Sequence, residues 1–322
     1  MTRNILCPLE AAPMPTSNLI DWMDEVDPYA IQRLAVVKGM FIATIMVFVY
    51  WVFRPLSFSA YIIPTILIYY YESPALKTTK EKVKFSIFIF TAFMIGNITF
   101  YLIFPFKIIF FYYAILFFAF LYYLLDIYYN QLKTAAMLIL AYSLFTLSDT
   151  PPANFQVVYT LFFSSMLSII TMLICLRIYP NYAFEIWSRA LQKYIACMEV
   201  DIEKAICGHQ KGLSADEVKH LSTIRTFRTL IPTSVMRNAC RISVNIRNIQ
   251  FALSSLYFEQ MNVTFWRTVQ DIFKELRANI QSRKTYSFQK ELIAETPLQQ
   301  YVAYCLTKTI RHWNQLCCIQ NN

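Results

Sequence analysis

Glycine and histidine are scarce in this chain, and long parts of it carry almost no charge. The 322 residues include 4 glycines and 3 histidines, and 15% are Asp, Glu, Lys or Arg. A phosphate-binding P-loop and a dinucleotide-binding GxGxxG turn each need clustered glycines, and the sequence has neither pattern. The scarcity of glycine therefore argues against ATP-driven transport by this chain itself.

Histidine and cysteine show no pattern typical of an enzyme or a metal centre. His209, His220 and His312 have no carboxylate and nucleophile near them in the sequence, so no catalytic triad is indicated. The 8 cysteines form no CxxC pair and no Cys/His set with zinc spacing. We therefore predict no catalytic residue, no metal and no cofactor.

Apolar runs dominate the sequence between residues 35 and 180. The chain is 57% hydrophobic, with a mean hydropathy of +0.41. A helix needs about 20 apolar residues to cross about 30 Å of hydrocarbon, and these runs are unbroken rather than alternating, which favours helices over barrel strands. Six spans are predicted, at 35–53, 56–71, 85–104, 106–127, 131–148 and 156–178, and the second and fifth are the shortest.

Charge is concentrated after Pro180, where the sequence has 18 Lys or Arg and 11 Asp or Glu. The apolar residues there recur with a period of about 3.6, which is typical of helices with one apolar face. Such helices are predicted at 182–207, from Ser214 to Pro232, and at 233–261, 264–284 and 298–318.

These patterns predict an all-α membrane protein with six transmembrane helices followed by a cytoplasmic helical bundle. Residues 1–33 form an N-terminal cytoplasmic segment, residues 34–180 the transmembrane domain and residues 181–322 the cytoplasmic helical domain. The first thirty residues are acidic where a signal peptide would be basic, so the first span is expected to act as its own insertion signal.

The placement of Lys and Arg predicts the orientation, because short cytoplasmic loops carry an excess of positive charge. With the N-terminus inside, the outer side has only Arg54 and Lys107. The inner side then has Arg33, Lys38, Lys77, Lys80, Lys82, Lys84, Lys133, Arg177 and Arg189. We expect a multi-pass protein of the inner membrane with both termini in the cytoplasm.

Three stretches of the chain resemble the fusaric acid resistance or aromatic acid exporter family. They are the opening RLAVVKGMFIATIMVFVYW, the loop and third span KTTKEKVKFSIFIFTAFMIGN, and the exit ICLRIYPNYAFEIWSRALQKYI. In that family the third span usually opens with an Arg, for which Lys82 or Lys84 stands here. The resemblance implies a transporter that exports small organic anions, aromatic carboxylic acids among them, often beside a periplasmic adaptor protein.

The resemblance also implies partners. Larger family members hold two copies of the six-span unit, so a single copy implies a homo-oligomer. Membrane lipid is the expected neighbour of the spans. The basic surface around Arg237, Arg241 and Arg247 suits anionic headgroups better than nucleic acid, so no nucleic-acid partner is predicted.

Five residues are candidates for binding the solute, because an anion crossing hydrocarbon needs compensating positive charge or dipoles. They are Lys38 in the first span, Arg54 and Lys107 at the outer side, Asn97 as the central amide, and Asp126 as a partner for Lys38 or a proton carrier. Simpler explanations stay open. Lys38 can reach lipid headgroups, and Asn97 can bond a neighbouring helix.

Two other functions stay open beside organic-anion export. One is a passive anion channel, since plant anion channels of related layout combine six spans with a helical cytoplasmic domain. The other is a membrane anchor that does not transport and whose helical bundle binds a partner. Whether Lys38, Asn97 and Asp126 face one another or face lipid separates transport from anchoring.

Overall fold

The computed structural model describes residues 22, 25–54, 61–73, 75–76, 78–149, 155–207, 215–255, 262–287 and 292–321. The residues in these ranges form helices joined by turns and short loops and contain no strand, so the prediction of an all-α protein is confirmed. The helices of the first half are α1 (Ile31–Phe53), α2 (Ile62–Tyr71), α3 (Thr79–Ile103), α4 (Lys107–Tyr128), α5 (Ala135–Asp149) and α6 (Phe155–Ile178). Those of the second half are α7 (Ala183–Ile206), α8 (Ala215–Phe227), α9 (Thr233–Ser254), α10 (Val263–Ser282) and α11 (Pro297–Asn321).

Four of these helices, α1, α3, α4 and α6, are long and apolar enough to cross a membrane. They correspond to the first, third, fourth and sixth predicted spans. The described helix at the second prediction has 10 residues, and residues 55–60 lie outside the described ranges. At the fifth prediction a 3-10 turn, Asn130–Leu132, precedes α5, which has 15 residues.

Helix α3 is central to the apolar group, by which we mean α1–α6. It packs against α2, α4, α5 and α6. By contrast, only 11% of the residues in the most apolar 18-residue stretch of α1 are buried, and the fraction is the same for α4. Their exposed side chains include Phe48, Trp51, Ile108 and Leu116. An apolar surface of this kind is compatible with a multi-pass membrane protein.

The amphipathic group, α7–α11, has its own core. Helix α7 packs against α8, α9 and α10, and α9 packs against α11. Trp187, Trp266 and Trp313 are almost completely buried there. The indole N–H of Trp187 donates to Ser243 Oγ at 3.1 Å, and that of Trp313 donates to the Lys284 carbonyl at 2.9 Å. The apolar faces seen in the sequence thus enclose three large aromatic side chains, and the indole N–H groups of Trp187 and Trp313 are satisfied.

The two groups meet at a proline turn. Pro180 follows α6, and Asn181 then starts α7 by accepting the backbone N–H of Ala183 at Oδ1 (2.9 Å). The Nδ2 of Asn181 also donates to the Leu230 carbonyl at 3.0 Å, in the turn between α8 and α9. The exit of α6 is therefore attached to the amphipathic group by side-chain as well as backbone bonds.

The residues before α1 form a second attachment. The Asp27 carboxylate accepts the backbone N–H groups of Ile31 and Arg33 at 2.9 and 3.0 Å, which caps the start of α1. Tyr29 is buried in the core of the amphipathic group and its hydroxyl contacts His220 of α8. The earlier part of the predicted N-terminal segment, residues 1–21 and 23–24, lies outside the described ranges.

Candidate anion-binding site

Two lysines share one carboxylate where the apolar group meets the amphipathic group. Lys38 Nζ lies 2.5 Å from Glu72 Oε1, and Lys82 Nζ lies 3.1 Å from Glu72 Oε2. The side chains of Lys38, Lys82 and Glu72 are 12%, 8% and 22% exposed. The site therefore consists of two shielded ammonium groups bridged by a single acid.

Local sequence signals place each of these groups. Lys82 follows a capping box, in which Thr78 Oγ1 accepts the Glu81 N–H at 3.1 Å and the Glu81 carboxylate accepts the Thr78 N–H at 3.3 Å. This arrangement starts α3 at a defined residue, with Lys82 in its first turn. Glu72 ends α2, where its N–H donates to the Ile68 carbonyl at 2.9 Å.

Aromatic rings form the walls of the site. Lys38 Nζ lies 4.8 Å from the ring centre of Tyr71 and 5.5 Å from that of Tyr179, and Lys82 Nζ lies 5.1 Å from the Tyr71 ring. These distances allow cation–π attraction, which strengthens when the cation is shielded from water. The rings also provide flat surfaces for a planar solute.

A partly enclosed cavity of about 150 Å³ borders the two lysines. Leu34 and Leu176 contribute apolar surface from the apolar group, and Asn181, Ile186 and Leu230 contribute the opposite side. A protein cavity of about 150 Å³ accommodates a molecule the size of benzene. Among the described residues around it, two ammonium groups face one carboxylate, which leaves a net charge of +1.

The charge of Glu72 is stabilised by its neighbours. Burial alone would raise the pKa of the Glu72 carboxyl, but Lys82 and Lys38 together outweigh burial and hold that pKa below its ordinary value. The carboxylate therefore stays ionised at neutral pH and competes with any other anion for the lysines. An arriving carboxylate would gain most by contacting both ammonium groups from the cavity side.

A set of buried polar side chains lies within the apolar group, apart from the lysine site. We call it the polar seam, and it consists of Asn97 on α3, Ser143 on α5, and Ser164, Ser165 and Ser168 on α6. Within the described part of the chain, Asn97 Nδ2 and Ser143 Oγ have no hydrogen-bond partner. A buried amide without a partner costs about 1–3 kcal/mol on mutational scales, so these atoms favour water or a polar solute beside them.

Ring contacts show that the residues of the polar seam lie at a similar height along the axes of α3, α5 and α6. Phe93 of α3 contacts Tyr142 of α5, with ring centres 4.9 Å apart, while Phe100, one turn beyond Asn97, shares a cluster with Leu147 and Leu161. Asn97 therefore lies close to the level of the seam serines on α5 and α6. It is 15 residues, or about 22 Å of helix, from Lys82.

The structure separates the five residues that the sequence suggested. Lys38 is in the site and Asn97 is in the seam, whereas Arg54 and Lys107 are exposed at the far ends of α1 and α4. Asp126 is also exposed and pairs with Lys133 at 3.3 Å. The counter-ion of Lys38 is thus Glu72 and not Asp126, because α4 places Asp126 on the surface.

The sequence reasoning missed Glu72 as a site residue, and it took Lys82 as an inner-side charge and, with Lys84 as the alternative, as the counterpart of the family's Arg, without proposing it for the site. One signal was available, since Glu72 is the only acidic residue between Asp27 and Glu81. A lone carboxylate at the end of an apolar run, next to a lysine-rich loop, indicates an ion pair. Which lysines it would meet depends on helix packing and cannot be read from spacing.

No family model, no curated protein and no solved structure matches the chain. The resemblance to aromatic acid exporters therefore stays an expectation drawn from the three stretches quoted above. The function has to be argued from the site itself.

Proposed function

We propose that this protein is an inner-membrane transporter that exports small organic anions, with aromatic carboxylates as the preferred class. The observation that carries the proposal is the cavity beside Lys38 and Lys82. It combines an excess of positive charge, aromatic walls and a volume suited to one ring. A carboxylate would contact the ammonium groups while its ring lies against Tyr71 or Tyr179.

The contacts of the site also support six crossings, although two of the helices are short. Lys38 near the start of α1 and Lys82 near the start of α3 both bind Glu72, which supports a return across the membrane between α1 and Glu72. Tyr129, after α4, contacts Phe85 of α3, with ring centres 5.0 Å apart. This contact supports a further crossing through α5 before α6 begins.

The direction of transport follows from which side is basic. Six crossings put the lysine site, the amphipathic group and both termini on the positively charged side, which is the cytoplasm. A solute would then enter the cavity from the cytoplasm and leave along the polar seam, where Asn97 and the seam serines replace part of its hydration. Two or more copies are expected to associate, and a periplasmic adaptor is the expected partner on the outer side.

Transport by the purified protein tests the proposal. The full chain is reconstituted into liposomes, and uptake of radiolabelled benzoate is compared with uptake of an uncharged analogue, benzyl alcohol. We expect saturable benzoate transport that falls at least about tenfold in Lys38→Met and in Lys82→Met, because one charge-assisted contact is worth about 1.5–3 kcal/mol. Asn97→Leu should also lower the rate.

Lys133→Met is the matched control, since Lys133 is a half-exposed lysine whose only described carboxylate partner is Asp126. It should transport like the original chain. Benzoate movement no faster than in protein-free liposomes would favour a membrane anchor instead. A current that follows voltage without a proton gradient would favour a channel.

A further inference from the structure

A second basic site lies in the amphipathic group, away from the lysine cavity. A groove of about 940 Å³ runs between the first half of α9 and the second half of α11. Arg237 and Arg241 contribute from α9, one turn apart on the same face, and Arg311 contributes from α11. Three guanidinium groups therefore face one open groove.

The groove has a fixed wall. Tyr286 and Ser287, which follow α10, line it, and Asn314 of α11 holds Tyr286 through both of its backbone polar groups. The Oδ1 of Asn314 accepts the Tyr286 N–H at 2.8 Å, and its Nδ2 donates to the Tyr286 carbonyl at 2.8 Å. The Tyr286 hydroxyl in turn donates to Glu275 at 2.6 Å. The wall is thus held by packed helices and does not need a ligand to form.

The charges in the groove are not balanced by acids. Among the described residues that line it, none is Asp or Glu. Within the described ranges, none of the three arginines forms an ion pair. Like charges one turn apart on a helix repel each other. An anion with several oxygens would relieve this repulsion, and the planar guanidinium fork matches phosphate.

The groove is close to the end of the apolar group that carries the lysine site. The Leu230 carbonyl is bonded to Asn181, which directly follows α6, and α9 begins at Thr233. Arg237 and Arg241 are therefore about 6 and 12 Å along α9 from its start. The end of α10 lies at the same level, because Arg283 contacts Glu185 in the first turn of α7.

We infer that this arginine groove binds a phosphate group, and that an anionic phospholipid headgroup supplies it. Arg237 lies about 6 Å along α9 from its start, within one Debye length of about 8 Å, and the turn before α9 is bonded to the residue after Pro180 at the exit of α6. A soluble phosphate compound would offer the same chemistry but gains nothing from this placement. The inference goes beyond the proposed function and does not depend on which solute crosses.

The test uses the full chain in a neutral detergent. Dioctanoyl phosphatidylglycerol, dioctanoyl phosphatidylcholine and sodium phosphate are titrated separately at constant ionic strength, and the thermal unfolding midpoint is followed by tryptophan fluorescence. We expect phosphatidylglycerol to raise the midpoint at the lowest concentration. The half-saturating concentration should increase about tenfold or more in Arg241→Gln and further in the Arg237→Gln/Arg311→Gln double variant.

Arg267→Gln removes an exposed arginine of α10 outside the groove and should leave the phosphatidylglycerol response unchanged. Arg241→Lys keeps the charge but not the fork, and should give a response between those of the original chain and Arg241→Gln. Equal responses to phosphatidylglycerol and inorganic phosphate would overturn the lipid source. Identical phosphatidylglycerol titrations for the original chain and the groove variants would overturn the site.

Discussion

Glu72 sets the balance of charge in the lysine site. It bonds Lys38 and Lys82 at once, so removing its charge leaves two shielded ammonium groups without a counter-ion. Removal of one partner from a buried ion pair costs about 3–5 kcal/mol, and the 22% exposure of Glu72 places the cost at the lower end. The same removal would make both lysines available to a solute.

Glu72→Gln should therefore lower stability and raise anion affinity together. We expect a loss of about 3 kcal/mol in the free energy of unfolding, measured by thermal unfolding in detergent, and a partial recovery on adding millimolar benzoate. Asp126→Asn is the control, because the Asp126–Lys133 pair is half-exposed and screened by solvent, so it contributes little to stability. Equal losses in the free energy of unfolding of both variants would contradict a larger contribution from Glu72 than from an exposed ion pair.

The pH dependence of this contribution has a defined sign. The pKa of Glu72 is lower in the folded protein than its ordinary value of 4.5. The stability that its charge contributes is therefore complete above that value, and it is lost as the pH falls through the lower folded pKa. Glu72→Gln should remove this part of the acid dependence.

At the scale of single elements, the contact between Tyr29 and His220 joins the segment before α1 to α8. Burial lowers the pKa of His220 below 6.5, Lys193 and Lys219 lower it further, and Asp216 opposes them. The folded chain thus favours neutral His220. As the pH falls through about 6.5 the unfolded chain binds a proton first, so stability decreases by up to about 1.4 kcal/mol per pH unit.

The contact between Tyr29 and His220 should make the unfolding midpoint depend measurably on pH. The unfolding midpoint of the full chain should decrease between pH 7 and pH 5, and the decrease should be smaller in His220→Gln, which cannot bind the proton. His312→Gln is the matched control, since His312 lies on the surface of α11 against Gln315. Parallel pH curves for the original chain and His220→Gln would show that this contact does not contribute.

Sequence reasoning predicted most helices because period and apolar length are local properties. Four apolar helices and the helices after Pro180 correspond to predicted ones. Three bounds differ: α3 starts at Thr79 rather than at 85, α8 ends at Phe227 rather than at Pro232, and the described part of α9 ends at Ser254 rather than at 261. The fifth span was predicted too long, since the chain makes a 3-10 turn at Asn130–Leu132 before α5 begins. The polar residues Asn130, Gln131 and Lys133 mark this turn in the sequence, but the predicted span included residues 131–134.

At the scale of the whole molecule, the site depends on contacts that connect distant parts of the chain. Lys38 could be proposed from sequence because a lysine inside an apolar run is costly. Its partner Glu72 lies 34 residues away and belongs to a different helix, so only the packing of α1, α2 and α3 brings them together. The same packing leaves Asp126 outside the site.

The arrangement of the crossings gives the last prediction. If the chain returns between α1 and α3, Arg54 and Lys107 lie on the same outer side. If α2 did not return, α1 and α3 would be consecutive crossings, Lys107 would lie inside, and Lys38 could not share Glu72 with Lys82.

Single cysteines replacing Arg54 and Lys107 should therefore both react with a membrane-impermeant maleimide in intact cells. Arg267→Cys, on the exposed face of α10, should react only after permeabilisation. Labelling at Arg54→Cys without labelling at Lys107→Cys would overturn the six-crossing arrangement, and labelling of Arg267→Cys in intact cells would reverse the orientation.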